Sequence, residues 1–258
     1  MSETSVRIVG FVPARAQSSR FPGKPLADIL GKPMIVRVLE RAVQSPLVDE
    51  VWAATDSERI LRAVREHGGK ALLTSREHRS GTDRVGEAAR HVGLEAADIA
   101  VNIQGDQPLL DPVMIEEAVA PLLEEPWIPM STLIYRIVRE EEITHTNAVK
   151  TVVDKQGFAI YFSRATIPFM RGPDIEPVYY KHHGIYAYRN DFLQEFCRLP
   201  QGFLELAERL EQLRALENGF RIRAVITEKD SIEVDTPEDL QRVRDELAKD
   251  QLTTKRRQ

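Results

Sequence analysis

Between Val6 and Asp106 the chain repeats one pattern, and that pattern constrains the fold more than any other feature. Strand-length apolar runs, "VRIVGFVPA", "EVWAAT", "KALLT" and "DIAVNIQGD", alternate with the helix-period stretches "PMIVRVLERAVQS", "SERILRAVREHGG" and "TDRVGEAARHVG". In the first of these helices Met34, Ile35, Val38, Leu39 and Ala42 share one face, and Pro33 suits a helix start. Short buried strands joined by amphipathic helices predict a doubly wound, mostly parallel sheet in an α/β fold. From Pro129 the style changes. "PMSTLIYRI", "AVKTVVD", "FAIYFS" and "HGIYAYR" follow one another with turns such as "DKQG", which predicts a smaller mixed or antiparallel extension of the sheet. Helices return at "FLELAERLEQLRALENG", stopped by Asn218 and Gly219, and at "TPEDLQRVRDELAK", whose first turn is acidic. The expected organisation is an α/β core over 1–128, a sheet extension over 129–190, helices and a strand completing the core over 191–248, and a tail over 249–258.

With 258 residues, 42% of them hydrophobic, the chain is long enough to bury a full core. A net charge of −5 argues against nucleic acid or an anionic membrane surface as partner, because both need a basic footprint. The basic ending "TTKRRQ" reads as a solvated tail. One cysteine, Cys197, excludes an internal disulfide and a cysteine-based zinc cluster. No apolar window is long enough to span a bilayer, so no membrane insertion is expected, and the start of the chain does not resemble a secretory signal. These features together point to the cytoplasm.

In open α/β sheets, ligands bind beyond the carboxyl ends of the strands. The loop "PARAQSSRFPGK" after the first run carries Arg15, Arg20 and Lys24, cations suited to a phosphate chain, on a segment stiffened by proline. It has neither the spacing of a P-loop nor the glycine fingerprint of a dinucleotide site. Thr55 and Asp56 end the next strand, and as isolated features they read more often as a helix cap. Ser80, Gly81 and Thr82 either read a base edge or cap the helix that follows. The fourth loop, "VNIQGDQPLL", places Gln104 and Asp106 at the tip of a very apolar strand, where a carboxylate is costly without a cation. Asp235 terminates the strand-like run "SIEVD" in the same way. Two such aspartates suit Mg²⁺, which is held by one or two carboxylates together with substrate phosphates.

Taken together, "VPARAQSSRFPGKPLADILGKPMI", "ATDSERI", "SGTDR", "NIQGDQP", "YFSRATIP", "KHHGIYAYR", "LEQLR" and "VDTPEDL" resemble the 3-deoxy-manno-octulosonate (Kdo) cytidylyltransferases, from Val6 to Leu247. The resemblance implies a nucleotide-binding α/β core, a sheet extension that forms a homodimer contact, and a Mg²⁺-dependent reaction. In that reaction CTP and the eight-carbon keto-acid sugar Kdo give CMP-Kdo and pyrophosphate for lipopolysaccharide. It further implies that Arg15 and Lys24 meet the triphosphate and that Asp106 and Asp235 hold magnesium. Ala14, Thr55, Asp56, Ser80, Thr82 and Gln104 would line the nucleotide. Gln104, Arg164, His182, Tyr186, Glu211 and Gln212 would meet the sugar acid, with Arg164 on its carboxylate.

Taken as bare residues, these last are as readily a surface salt bridge (Arg164), packing groups (His182, Tyr186) and solvated helix positions (Glu211, Gln212). The chain departs from the resemblance in three places. It has "LELAERLEQLR" where many relatives read "LEHIEMLEQLR", with Leu206 in the histidine's position. It also has "SIEVD" for "TGVD", and "KHHG" for "RHLG". At "SIEVD" and around "LEQLRALE" the chain resembles a subgroup acting on the 8-amino analogue of Kdo, so the substituent at C8 stays open. The rival of another class is a nucleotide- or sugar-binding homologue without activity. Retention of Lys24 and both aspartates speaks against it.

Overall fold

The structure, a computed structural model, describes residues 6–15, 21–172 and 174–255, with side chains through residue 249. Arg20 and the tail side chains therefore lie outside the described residues. The elements run β1 (Ile8–Ala14), β2 (Asp28–Ile29), β3 (Lys32–Pro33), α1 (Met34–Ala42), β4 (Glu50–Thr55), α2 (Glu58–Glu66), β5 (Lys70–Leu73), α3 (Gly81–Val92) and β6 (Ile99–Asn102). They continue as α4 (Val113–Glu124), β7 (Met130–Arg136), α5 (Glu140–Thr144), β8 (Lys150–Val153), β9 (Ala159–Ser163) and β10 (Tyr180–Arg189). The last are α6 (Asn190–Phe196), α7 (Phe203–Glu208), α8 (Leu213–Glu217), β11 (Ile222–Thr227) and α9 (Pro237–Lys255). The class is α/β with a mostly parallel sheet, as the alternation predicts, and the chain forms two compact units.

One unit comprises Arg7–Gly93, Asn102–Val113 and Ser231–Gln258. Here β1, β4 and β5 pair in parallel, with Gly10 opposite Val51 and Ala53 opposite Ala71. The apolar face of α1 is buried at Met34, Ile35, Val38, Leu39 and Ala42, the side that its spacing marks. A second cluster joins Ile29 and Met34 to Val234, Leu240 and Val243, which anchors the last helix and the segment leading into it. That segment is not the strand expected at "SIEVD". Residues 231–235 are irregular, held by the Val234 N–H donating to the Asp106 carbonyl at 2.9 Å. An alternating apolar pattern there marks one buried side chain, Val234, rather than a ladder.

The other unit includes Leu94–Val101 and Met114–Asp230. Its strands lie in the order β11, β7, β10, β6, and β8 and β9 extend from β10. The β7–β10, β10–β8 and β8–β9 pairs are antiparallel and the β7–β11 pair is parallel, so this part is mixed, as expected. Two short helices there, α5 and α6, have no clear period in the sequence. The helix expected over 203–219 is broken. It stops at Glu208, Arg209 takes a left-handed conformation (φ 54°, ψ 49°), and α8 restarts at Leu213.

Candidate active site

Lys24 sits in a short 3₁₀ turn whose entry residue, Gly23, has φ 74°, a conformation that costs glycine little. Pro25 and the backbone bonds from Leu26 to Gly23 and from Ala27 to Lys24 fix the turn. Its ammonium donates to Asp106 Oδ2 at 2.8 Å and to Asp235 Oδ1 at 3.1 Å. The two aspartates that the sequence singles out therefore converge on one point, Asp106 from the turn after β6 and Asp235 from just before α9. Gly105 lets this turn lie against β1, because a Cβ there would stand 3.2 Å from the Pro13 carbonyl. Burial works to lower the Lys24 pKa, but Asp106 and Asp235 outweigh it and hold the ammonium above its usual value. Glu233 adds a third carboxyl. It is exposed overall, yet it accepts from buried Gln107 at 3.1 Å, and desolvation with the charges of Asp106 and Asp235 pushes it up to about 7.

The fit to Mg²⁺ is set by this donor set. Two carboxylate oxygens aimed at one cation, beside open space lined by Arg15, Gln104 and Gly105 (about 170 Å³), suit an ion that completes its shell from phosphate oxygens. Among the described residues no cluster of three or more metal-ligating side chains exists, so a fully protein-built cage is absent.

A larger cleft of about 640 Å³ adjoins Arg15 and is lined by Asp56, Ser57, Arg59, Arg76 and His78. Ala14 and Thr55 are buried at the carboxyl ends of β1 and β4, and the Thr55 hydroxyl accepts from the Ser57 N–H. Asp56 accepts from the fully buried Arg84 at 2.9 Å. Burial and nearby Arg15 lower the Arg84 pKa, against the pull of Asp56. Ser80 caps α3, accepting from the Asp83 N–H at 3.0 Å, and Thr82 is buried and meets Asn102 Nδ2 at 3.2 Å. The bland and the functional readings of "SGTDR" thus share the same residues. Glu58 also lines the cleft, so Arg15, Arg59 and Arg76 share it with two acidic residues, of which Asp56 is paired with Arg84. Arg59, Arg76 and His78 escape a motif reading because each stands outside the loop tips, one on a helix and two in the loop after β5.

The sugar-side candidates His182, Tyr186, Glu211 and Gln212 gather in the other unit. The β7–β10 register shifts between His183 and Tyr186, a bulge of the kind often found beside active sites. The Thr132 hydroxyl meets the carbonyls this bulge leaves over, at 2.8 Å (Ile185) and 3.1 Å (His183), and lies 3.0 Å from His182 Nε2. The rings of His182 and Tyr186 are 5.2 Å apart. Burial pushes His182 down to about 3, keeping it neutral, and burial with the nearby Tyr188 and Glu211 pushes the Tyr186 hydroxyl well above its usual value. Gln212 is buried, and its Nε2 has no hydrogen-bond partner among the described residues.

Arg164, expected on the sugar carboxylate, is gripped by backbone. Its Nε donates to the Glu208 carbonyl at 2.8 Å, Nη1 to that of Thr146 at 3.0 Å and Nη2 to that of Arg209 at 3.4 Å. Three of its five N–H groups are thus engaged by backbone carbonyls.

With this geometry in view, comparison with known proteins is informative. Residues 9–228 match the family model described as cytidylyltransferase. The 3-deoxy-manno-octulosonate cytidylyltransferase of Syntrophus aciditrophicus (strain SB) is 59% identical over 241 residues, 93% of this chain and 97% of its own. That of Desulfatibacillum aliphaticivorans is 55% identical over 246 residues, 95% and 100% of the two chains. A solved structure of CMP:2-keto-3-deoxy-manno-octonic acid synthetase complexed with CTP superposes with a TM-score of 0.89 at 44% identity, covering 95% of this chain and 99% of that one. Fold, motifs and near full-length identity agree: the chain is a nucleotidyltransferase and belongs to the 3-deoxy-manno-octulosonate cytidylyltransferase family.

Proposed function

We propose that the protein activates Kdo with CTP in a Mg²⁺-dependent reaction, giving CMP-Kdo and pyrophosphate for lipopolysaccharide synthesis. The observation that carries this reading is the convergence of Asp106 and Asp235 on the Lys24 ammonium. These two aspartates would hold the metal, which would supply Lewis acidity and charge neutralisation at the reacting phosphate. Everything else is the work of side chains. Lys24 and Arg15 neutralise the β and γ phosphates and stabilise the departing pyrophosphate. Ala14, Thr55, Asp56, Ser80, Thr82 and Gln104 position the nucleoside and its phosphates, so that the reacting geometry is formed before chemistry. Tyr186, Glu211 and Gln212 take the hydroxyls of the sugar acid, while the neutral His182 orients through Thr132 and Tyr186. No side chain at the site is assigned as general base for the anomeric hydroxyl.

The same reading takes the protein to be a cytoplasmic homodimer, on the family resemblance, and sedimentation velocity checks the second part. Pyrophosphate release that needs CTP, Mg²⁺ and Kdo together is the expected result. Turnover without the sugar acid, or none with all three, would sink the proposal. Initial rates on Kdo and on its 8-amino analogue under identical CTP and Mg²⁺ decide the C8 group.

A further inference from the structure

The break between α7 and α8 falls two residues before Glu211 and Gln212, and it is held with unusual density. A left-handed conformation at a non-glycine residue such as Arg209 is unfavourable and persists only where surrounding contacts impose it. The Leu210 N–H donates to the Glu205 carbonyl at 3.3 Å, and the side-chain contacts come from Glu208 and Arg164. The Glu208 carboxylate accepts from the Ser163 hydroxyl at 2.6 Å through Oε1 and from the Arg164 N–H at 2.9 Å through Oε2. Arg164 returns the grip by donating to the carbonyls of Glu208 and Arg209. Beneath them the fully buried Lys150 donates to the Arg164 carbonyl at 2.8 Å and to those of His145 and Ala148. A buried ammonium satisfied by three carbonyls is a rigid peg, since withdrawing it would orphan all three acceptors.

We propose that Glu208 is a positioning residue for sugar-acid recognition: by clamping Arg164 and the left-handed turn at Arg209, it sets where Glu211 and Gln212 meet the substrate. The inference rests on the sugar-binding reading above. It gives Arg164 a role in shaping that cluster through the backbone. The unpartnered Nε2 of buried Gln212 is the group whose direction the clamp fixes.

The test is steady-state kinetics of the full chain with CTP, Mg²⁺ and Kdo. Glu208→Gln keeps the size of the side chain but removes the charge that the Arg164 N–H and the Ser163 hydroxyl share. It should lower kcat/KM for the sugar acid by at least ~10-fold and leave the KM for CTP within ~2-fold. Ser163→Ala, a milder change that releases one carboxylate oxygen, should give the same selective effect at smaller size. Equal changes for both substrates in these variants, or none, overturn the proposal. Arg209→Gly retains the left-handed turn without the side chain and should leave sugar kinetics unchanged. A loss matching that of Glu208→Gln would make the Arg209 guanidinium itself the ligand and overturn the clamp. Gln212→Met separates the two layers. Unchanged sugar kinetics there remove the sugar reading on which the proposal rests, whereas a selective loss there with a silent Glu208→Gln removes the clamp alone.

Discussion

Lys24 stands between two carboxylates, so the cation proposed for the phosphates and the aspartates proposed for the metal form one electrostatic unit. Asp106→Asn and Asp235→Asn should each abolish pyrophosphate release at saturating Mg²⁺ while moving the thermal midpoint by only a few degrees. Each change removes charge that the fold itself does not need. Lys24→Met, which keeps much of the stem, should cost at least ~10-fold in CTP turnover, about 1.4 kcal/mol of transition-state stabilisation. His183 supplies the clearest pH dependence. It is 2% exposed, and burial pushes it down to about 4, with Lys181 also lowering and Asp230 and Glu142 raising it. An unfolded histidine titrates near 6.5, so below that pH the unfolded chain takes up a proton that the folded one refuses. Stability is therefore lost as the pH falls from ~6.5 to ~4, at about 1.4 kcal/mol per pH unit. His182, buried and pushed lower still, acts in the same direction, so His183→Gln should reduce but not abolish the fall of the urea midpoint between pH 7 and 5. At this scale the motifs disclosed the charged residues at loop tips, because a carboxylate or cation ending an apolar run is conspicuous. They did not disclose that Arg164 faces carbonyls, since the acceptors come from Thr146, Glu208 and Arg209, far away in sequence or on the broken helix.

Elements with a strong period were readable, and those governed by a single tertiary contact were not. The helices α1, α2 and α3 match their apolar spacing, and Gly93 at φ 74° ends α3 as its position suggests. The break at Arg209 was hidden because "FLELAERLEQLRALENG" has good helix formers throughout, and only Glu208 and Arg164 override them. The irregular path of 231–235 was hidden for the converse reason, since one buried valine mimics strand alternation. Two changes test how elements support the site. Ser80→Ala removes the α3 cap and should cost ~1 kcal/mol, or ~2–4 °C in melting temperature, and also raise the KM for CTP. A lower melting temperature with unchanged KM would leave Ser80 a cap alone. Gly105→Ala should destabilise by ~1–3 kcal/mol in denaturant titration, because its Cβ would press on the Pro13 carbonyl and push the Asp106 turn off β1.

At the scale of the molecule, the two compact units are each assembled from separated stretches of chain, and this is the feature that linear reading captured least. The change of style at Pro129 marks a real change from parallel to mixed pairing, but the unit it belongs to also takes in Leu94–Val101. The unit that holds Lys24 and Asp106, in turn, is completed by residues from Ser231 onward. Among the described residues no helix is long and apolar enough to cross a membrane. Deleting everything after Asp230 should do more than remove Asp235. Loss of Val234, Leu240 and Val243 uncovers Ile29 and Met34, and the truncated chain should melt well below the full one and lose the stabilisation that CTP confers. The pairing of Lys24 with Asp235 across 211 positions has a further consequence during synthesis on the ribosome. Lys24 and Asp106, 82 positions apart, both emerge before the second aspartate, which follows Lys24 by 211 positions. A nascent chain thus holds an incomplete centre until Asp235 has emerged, and activity should appear as one step that follows it, later than the folding of the early strands.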